Sequence, residues 1–332
     1  MGKLVDGIWR QSGHETASND GRFVRPDSAF RNWVTKDGGP GPSGRGGFQA
    51  EAGRYHLYVS LACPWAHRTL IMRELKGLRD LVSVSAVNAH MGRDGWTFEP
   101  GPGVIPDAVN GASRLHEIYT QADAHFTGRV TVPVLWDKRL ETMVSNESAE
   151  ILRMFNSAFD GVGAEPGDFY PAELRTQIDE LNDYIYTAIN NGVYRAGFAG
   201  TQSAYDEAVA DLFAALDQLE ERLATHRYLC GDHITEAGWR LFTTLIRFDP
   251  VYVGHFKCNV RRLRDYPNLW GYTCDLYQQP GIAATVDIPH IKSHYYGSHA
   301  DINPTGIVPR GPDADYSMAH GRDRLVTLAA AG

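Results

Sequence analysis

The stretch that decides the reading is Ser60-Leu61-Ala62-Cys63-Pro64-Trp65-Ala66-His67-Arg68. Just before it, Tyr55-His56-Leu57-Tyr58-Val59-Ser60 alternates and predicts a β-strand. Pro64 suits the first turn of a helix, where no backbone N–H is needed. Beyond it, Ala66, Leu70, Ile71, Leu75 and Leu78 recur at three- and four-residue spacing, and Gly77 marks a stop. Leu81 to Val87 reads as a second strand, which completes a parallel strand–helix–strand unit. Cys63 therefore lies between a strand end and a helix start. A helix N-terminus carries about half a positive charge and unpaired N–H groups. Both favour thiolate over thiol, so a cysteine placed there is reactive near neutral pH. The plain alternative is a small buried side chain. That alternative is the reading for Cys230, Cys258 and Cys274, which have no such setting.

Outward from this unit, residues 88–111 are rich in Gly and Pro, and a loop of that length inside a domain is usually functional or mobile. A helix is predicted over 114–124. Val130–Trp136 and Glu141–Val144 read as a strand pair. Pro133 lacks a ladder donor, so it marks an edge strand or a cis-proline turn. Ser145-Asn146 opens a helix with Glu147-Ser148 in its first turn, followed by Ile151, Met154 and Phe155. Residues 159–171 read as a linker. Helices are then predicted at about 172–190, 201–226, 235–248 and 265–278, with no strand of similar strength. The resulting plan is an irregular N-terminal extension (1–50), an α/β domain (51–158), a helical domain (171–285) and a C-terminal extension (286–332) expected to return to the active site.

Composition narrows the function. The chain has 332 residues, 43% hydrophobic and 22% charged, which is the profile of a globular protein with about two domains. With 32 Lys and Arg against 40 Asp and Glu, the net charge of -8 argues against generic nucleic-acid or anionic-membrane binding. No run approaches the roughly 18 apolar residues of a membrane span. The N-terminal run lacks the apolar core of a secretory signal. Four widely spaced cysteines form neither a disulfide scaffold nor a zinc site, so no metal is expected and a reducing cytosol is the default compartment.

Three segments carry candidate chemistry. Position 66 is Ala, where a dithiol oxidoreductase has its second cysteine. A mixed disulfide on Cys63 must then be resolved by another molecule, and a small thiol such as glutathione is the economical choice. At Thr131-Val132-Pro133, a cis peptide would turn the Val132 backbone outward to pair with an extended peptide. At Ser145–Ser148, the first-turn N–H groups and the Ser148 hydroxyl suit a carboxylate, and Glu147 suits an ammonium. Taken alone, this last segment reads as a plain capping sequence, since Ser or Asn followed by Glu is common at helix starts.

The combination resembles the glutathione transferase superfamily: Cys-Pro-x-Ala at a helix start, then Val-Pro, then Glu-Ser at a helix start, then a helical half. Residues 55–68, 128–137, 145–151, 190–199, 247–252 and 302–307 look more narrowly like the glutathionyl-hydroquinone reductases, or Xi class. The resemblance spans essentially the whole chain. It implies a thioredoxin-like N-terminal domain followed by an all-helical C-terminal domain, and a homodimer. It implies glutathione as co-substrate and aromatic glutathionyl-hydroquinones as substrates. Cys63 would be the nucleophile. Trp96, Arg129, Val130, Thr131, Val132, Glu147 and Ser148 would contact glutathione. Tyr194, Tyr252 and Tyr295 would line the hydroquinone pocket, with Tyr194 as proton donor and Tyr295 preferred over Tyr296. The alternatives are a glutathione-dependent dehalogenase, a general thiol transferase, and a redox sensor that does not turn over.

One position departs from the superfamily. Thr235-Glu236-Ala237-Gly238 stands where transferases usually carry Thr-x-Ala-Asp, a helix-capping box. Loss of a cap costs about 0.5–2 kcal/mol. Replacing Gly238 by Asp is therefore expected to raise the melting temperature.

Overall fold

A computed structural model describes residues 2–11 and 18–325. It begins with a hairpin, β1 (Gly2–Val5) against β2 (Ile8–Gln11). The two turn residues, Asp6 and Gly7, both have positive φ, 50° and 72°. A two-residue hairpin requires that conformation, and Asp-Gly tolerates it. The hairpin corrects the expectation of a wholly irregular extension, and the Asp-Gly pair between apolar residues is the sequence signal that marks it.

The α/β part follows as β3 (Tyr55–Val59), α1 (Pro64–Leu75), β4 (Val82–Ala86), α2 (Leu115–Ala122), β5 (Val134–Asp137), β6 (Thr142–Ser145) and α3 (Ser148–Ser157). The sheet order is β4-β3-β5-β6. β3 and β4 run parallel, whereas β5 is antiparallel to β3, and β6 to β5. This is the mixed sheet of a thioredoxin-like domain. All five residues of β3 are buried, as a central strand covered on both faces must be. Its histidine, His56, sits between the hydroxyls of Ser83 and Ser85, and burial pushes the imidazole down to about 4. β5 starts only at Val134, later than the predicted strand and just after the cis Val132–Pro133 peptide.

The rest is helical: α4 (Arg175–Ile185), α5 (Gly192–Gly197), α6 (Gln202–Thr225), α7 (Glu236–Arg247), α8 (Pro267–Tyr277) and α9 (Ile288–Ser298). α4 and α7 each widen into a π turn, over Tyr186–Asn190 and Phe248–Tyr252. All twelve residues of α7 are buried, and α4 and α8 pack on it. Such a helix is the core of its layer, each fully buried Leu, Ile or Phe contributing about 1.5–3 kcal/mol.

The chain divides into two compact units. The first holds Pro26–Gly167 and Ala284–Pro309 with the hairpin, and the second holds Asp168–Ala283 with residues 18–25 and 310–325. The C-terminal segment, expected as one extension, is therefore shared between the units, and α9 belongs to the first. Among the described residues, no helix is long and apolar enough to cross a membrane.

The structure reverses the expectation at Gly238. A Cβ there would lie 2.6 Å from Tyr272 Oη. Tyr272 is fully buried, and its hydroxyl has no hydrogen-bond partner among the described residues. The space an aspartate would need is filled by a phenol on α8. The Thr235 hydroxyl is turned to Cys230 Sγ, at 3.5 Å, and does not cap α7.

Candidate active site

Within the first unit, Cys63 is the N-cap residue of α1, with Pro64 at the first helical position and no side-chain cap. Its sulfur donates to Val132 O at 3.6 Å, so the thiol lies against the cis Val132–Pro133 turn. Cys63 is half-buried, whereas Cys230, Cys258 and Cys274 are buried. Burial pushes those three thiols up, Cys274 to about 12. A thiolate nucleophile is thus disfavoured at three of the four positions.

The predicted glutathione segments meet around one residue that sequence reasoning missed. Tyr119, on α2, donates from Oη to Thr131 O at 2.9 Å and accepts from Thr131 N at 3.1 Å and from Asn146 Nδ2 at 3.1 Å. It therefore ties the Arg129–Val132 run to the start of α3. Burial keeps this phenol protonated. On α2 it is buried together with Leu115, four residues earlier, and Ile118, so nothing in the sequence separates Tyr119 from an ordinary core aromatic.

α3 starts later in the sequence than expected. Glu147 is the N-cap and Ser148 the first helical residue. Glu147 Oε1 accepts from Ala149 N at 3.1 Å, and Oε2 accepts from the Ser28 hydroxyl at 2.9 Å. The capping role is therefore real, and each oxygen keeps a lone pair for a further donor. Ser148 is buried, with its Oγ 3.5 Å from Arg68 Nη1. Arg68 comes from the helix that Cys63 starts and lies over the Trp65 ring. Arg129 and Val130 are half-buried, Thr131 is exposed, and Val132 is buried. Trp96, in the long loop between β4 and α2, is only 8% exposed and stacks on His294 of α9. Tyr295, the next residue, is buried with its ring edge toward His294 and His299.

In the second unit, Tyr194 and Tyr252 come together, with ring centroids 6.3 Å apart. Tyr252 ends the π turn after α7 and stacks on Phe256 at 5.5 Å. Tyr194 is half-buried on α5, beside Phe198 and Phe256. The Arg25 guanidinium lies 4.7 Å from the Tyr194 ring centroid and donates to Asn191 Oδ1 at 2.9 Å. Sequence reasoning missed Arg25, since an isolated arginine in a loop carries no local signal. Among the described residues, no group of three or more His, Cys, Asp or Glu could hold a metal.

Comparison with known proteins decides what this arrangement belongs to. Residues 62–158 match the glutathione S-transferase N-terminal domain, and residues 202–273 match the C-terminal domain. The chain is 60% identical over 324 residues to the glutathionyl-hydroquinone reductase YqjG of Escherichia coli, covering 97% of this chain and 99% of that protein. This chain belongs to the glutathionyl-hydroquinone reductases, the Xi class of glutathione transferases. PcpF of Sphingobium chlorophenolicum, another of these reductases, is 55% identical over 94% of this chain and 96% of its own. The glutathione-bound structure of YqjG superposes with a TM-score of 0.90 at 57% identity, over 97% of this chain and 99% of that one. A Xi-class transferase from Natrialba magadii gives 0.91 at 53% identity, covering 98% of each chain. Cys63, Trp96, the Arg129–Val132 run, Glu147, Ser148 and Tyr295 fall in the first unit, and Tyr194 and Tyr252 fall in the second.

Proposed function

We propose that this protein reduces glutathionyl-hydroquinones to hydroquinones at the expense of glutathione. The observation that carries the reading is the half-buried Cys63 at the start of α1, its sulfur against the cis Val132–Pro133 turn, in a chain 60% identical to a glutathionyl-hydroquinone reductase. The Cys63 thiolate attacks the glutathione sulfur of the aromatic thioether. The sulfur–aryl carbon bond breaks, and its electron pair stays on the carbon, which takes up a proton. A Cys63–glutathione disulfide and free hydroquinone result. A second glutathione thiolate attacks that disulfide, releasing oxidised glutathione and restoring the Cys63 thiolate. An electron-rich aryl carbon leaves poorly without concerted protonation, and Tyr194 is the donor in this scheme, since a phenol can supply a proton to carbon. The Arg25 cation over its ring stabilises the phenolate left behind.

Glutathione is held, in this reading, by Trp96, Arg129, Val130, Thr131, Val132, Glu147 and Ser148, with Tyr252 and Tyr295 walling the hydroquinone. The helix start at Ser148 and the buried Arg68 beside it favour a carboxylate. The half-buried Glu147 favours an ammonium, and the γ-glutamyl end of glutathione carries both groups. Four free cysteines support a reducing, cytoplasmic compartment. Family resemblance supports a homodimer. The test is turnover of a glutathionyl-hydroquinone with excess glutathione by wild type and Cys63→Ala. Equimolar hydroquinone and oxidised glutathione, lost in the variant, are expected. A folded wild type without turnover would reject the reductase in favour of thiol transfer or redox sensing, and chloride release from a halogenated hydroquinone would favour a dehalogenase.

A further inference from the structure

The long segment between β4 and α2 carries Trp96, and helix α9 grips it along one face. His290, His294 and Ser298 stand at i, i+4 and i+8 of that helix, a spacing that aligns their side chains. Each of the three meets the segment. His290 Nδ1 donates to Pro102 O at 3.2 Å, and His294 Nδ1 donates to Ala89 O at 2.8 Å. Ser298 Oγ accepts from Met91 N at 2.9 Å. The approach is close: a Cβ on Gly103 would lie 2.8 Å from His290 Nδ1. On the other side, Trp9 of the N-terminal hairpin donates from Nε1 to Arg93 O at 3.0 Å, and its ring covers Gly95, next to Trp96.

His294 does more than grip. Its imidazole lies on the Trp96 indole, with centroids 4.8 Å apart and planes 27° from parallel. A carbonyl oxygen only accepts, so the bond to Ala89 puts the proton on Nδ1 and fixes the turn of the ring. Tyr295 and His299 set their rings across it at 5.2 and 5.5 Å. The imidazole is thus held by a bond in its plane and by rings around it, and it presents one flat face to Trp96. An indole on a loop otherwise loses side-chain entropy each time it orders on a ligand.

We propose that His294 is a positioning residue for glutathione recognition, which holds the Trp96 indole ready for the tripeptide through the stack and the bond to Ala89. The inference deepens the proposed function and rests on its reading of Trp96 as a glutathione contact. A group acting this way changes ground-state binding more than the chemical step.

The test uses the full chain, with glutathione affinity by calorimetry, steady-state turnover and melting temperature for each variant. His294→Ala is expected to weaken glutathione binding about tenfold. Turnover at saturating glutathione stays within about twofold of wild type. His294→Phe keeps a flat ring for the stack and recovers most of the lost affinity. In a Trp96→Ala background, His294→Ala adds no further loss, because its effect runs through the indole. Wild-type affinity in His294→Ala, or a full additive loss in the double variant, overturns the inference. A loss that His294→Phe does not restore at an equal melting temperature also overturns it. If Trp96→Ala itself binds glutathione as wild type does, the reading of Trp96 as a contact fails, and the inference falls with it. If Trp96→Ala weakens binding and His294→Ala does not, the inference fails alone.

Discussion

Helices α1 and α7 both begin without a side-chain cap, yet one start is suited to chemistry and the other is sealed. Both have the positive end of a helix dipole and first-turn N–H groups to satisfy. At α1 the cap position holds a half-buried thiol, and the neighbouring chain is the cis Val132–Pro133 turn. At α7 every residue is buried, the Thr235 hydroxyl faces Cys230, and Tyr272 fills the space beside Gly238. The same local electrostatics thus supports reactivity only where packing leaves a polar atom within reach. α3 lies between these cases: its start is capped by Glu147, whose carboxylate is only half-buried.

The contrast is sharpest in thiol reactivity. A small alkylating reagent at neutral pH should label Cys63 at least about a hundredfold faster than Cys230, Cys258 or Cys274, because burial holds those three protonated. Peptide mass spectrometry of a labelling time course reads this directly, and comparable rates at a buried cysteine would break the comparison. The next effect is on stability. Gly238→Asp should lower the melting temperature, since overpacking a buried site costs about 1–3 kcal/mol. Adding Tyr272→Phe removes the hydroxyl in the way and should recover part of the loss. A rise in Gly238→Asp alone would show that Tyr272 yields and that capping decides the site. The smallest effect is expected at α3. Glu147→Gln keeps an oxygen for Ala149 N and removes the charge, so it separates capping from ammonium binding. Glutathione affinity should fall about tenfold with little change in melting temperature, in line with the extra strength of hydrogen bonds to charged groups. Unchanged affinity would leave Glu147 as a cap alone.

Much of the fold was legible because its signals are local. The β3–α1–β4 unit, the Pro64 start and the helices α4, α6, α7 and α8 follow from periodicity and punctuation within a dozen residues. The hairpin at Asp6-Gly7 and helix α9 were also marked, the latter by Asp287 capping His290 N with Pro289 in the first turn, but both lie in segments read as extensions. Tyr119 and His294 were not legible. Tyr119 acts on Thr131 and Asn146, 12 and 27 residues away, and His294 acts on Ala89, 205 residues away.

By itself the sequence determined the α/β-then-helical architecture, the placement of Cys63 at a helix start and the family. Each of these depends on residue types at fixed short spacings. Only the tertiary structure decided that Gly238 is a packed position, that Glu147 caps α3, and through which side chains α9 holds the Trp96 segment. Those outcomes depend on which side chain fills a given volume, and the neighbours that fill it come from segments far apart along the chain, where spacing carries no information.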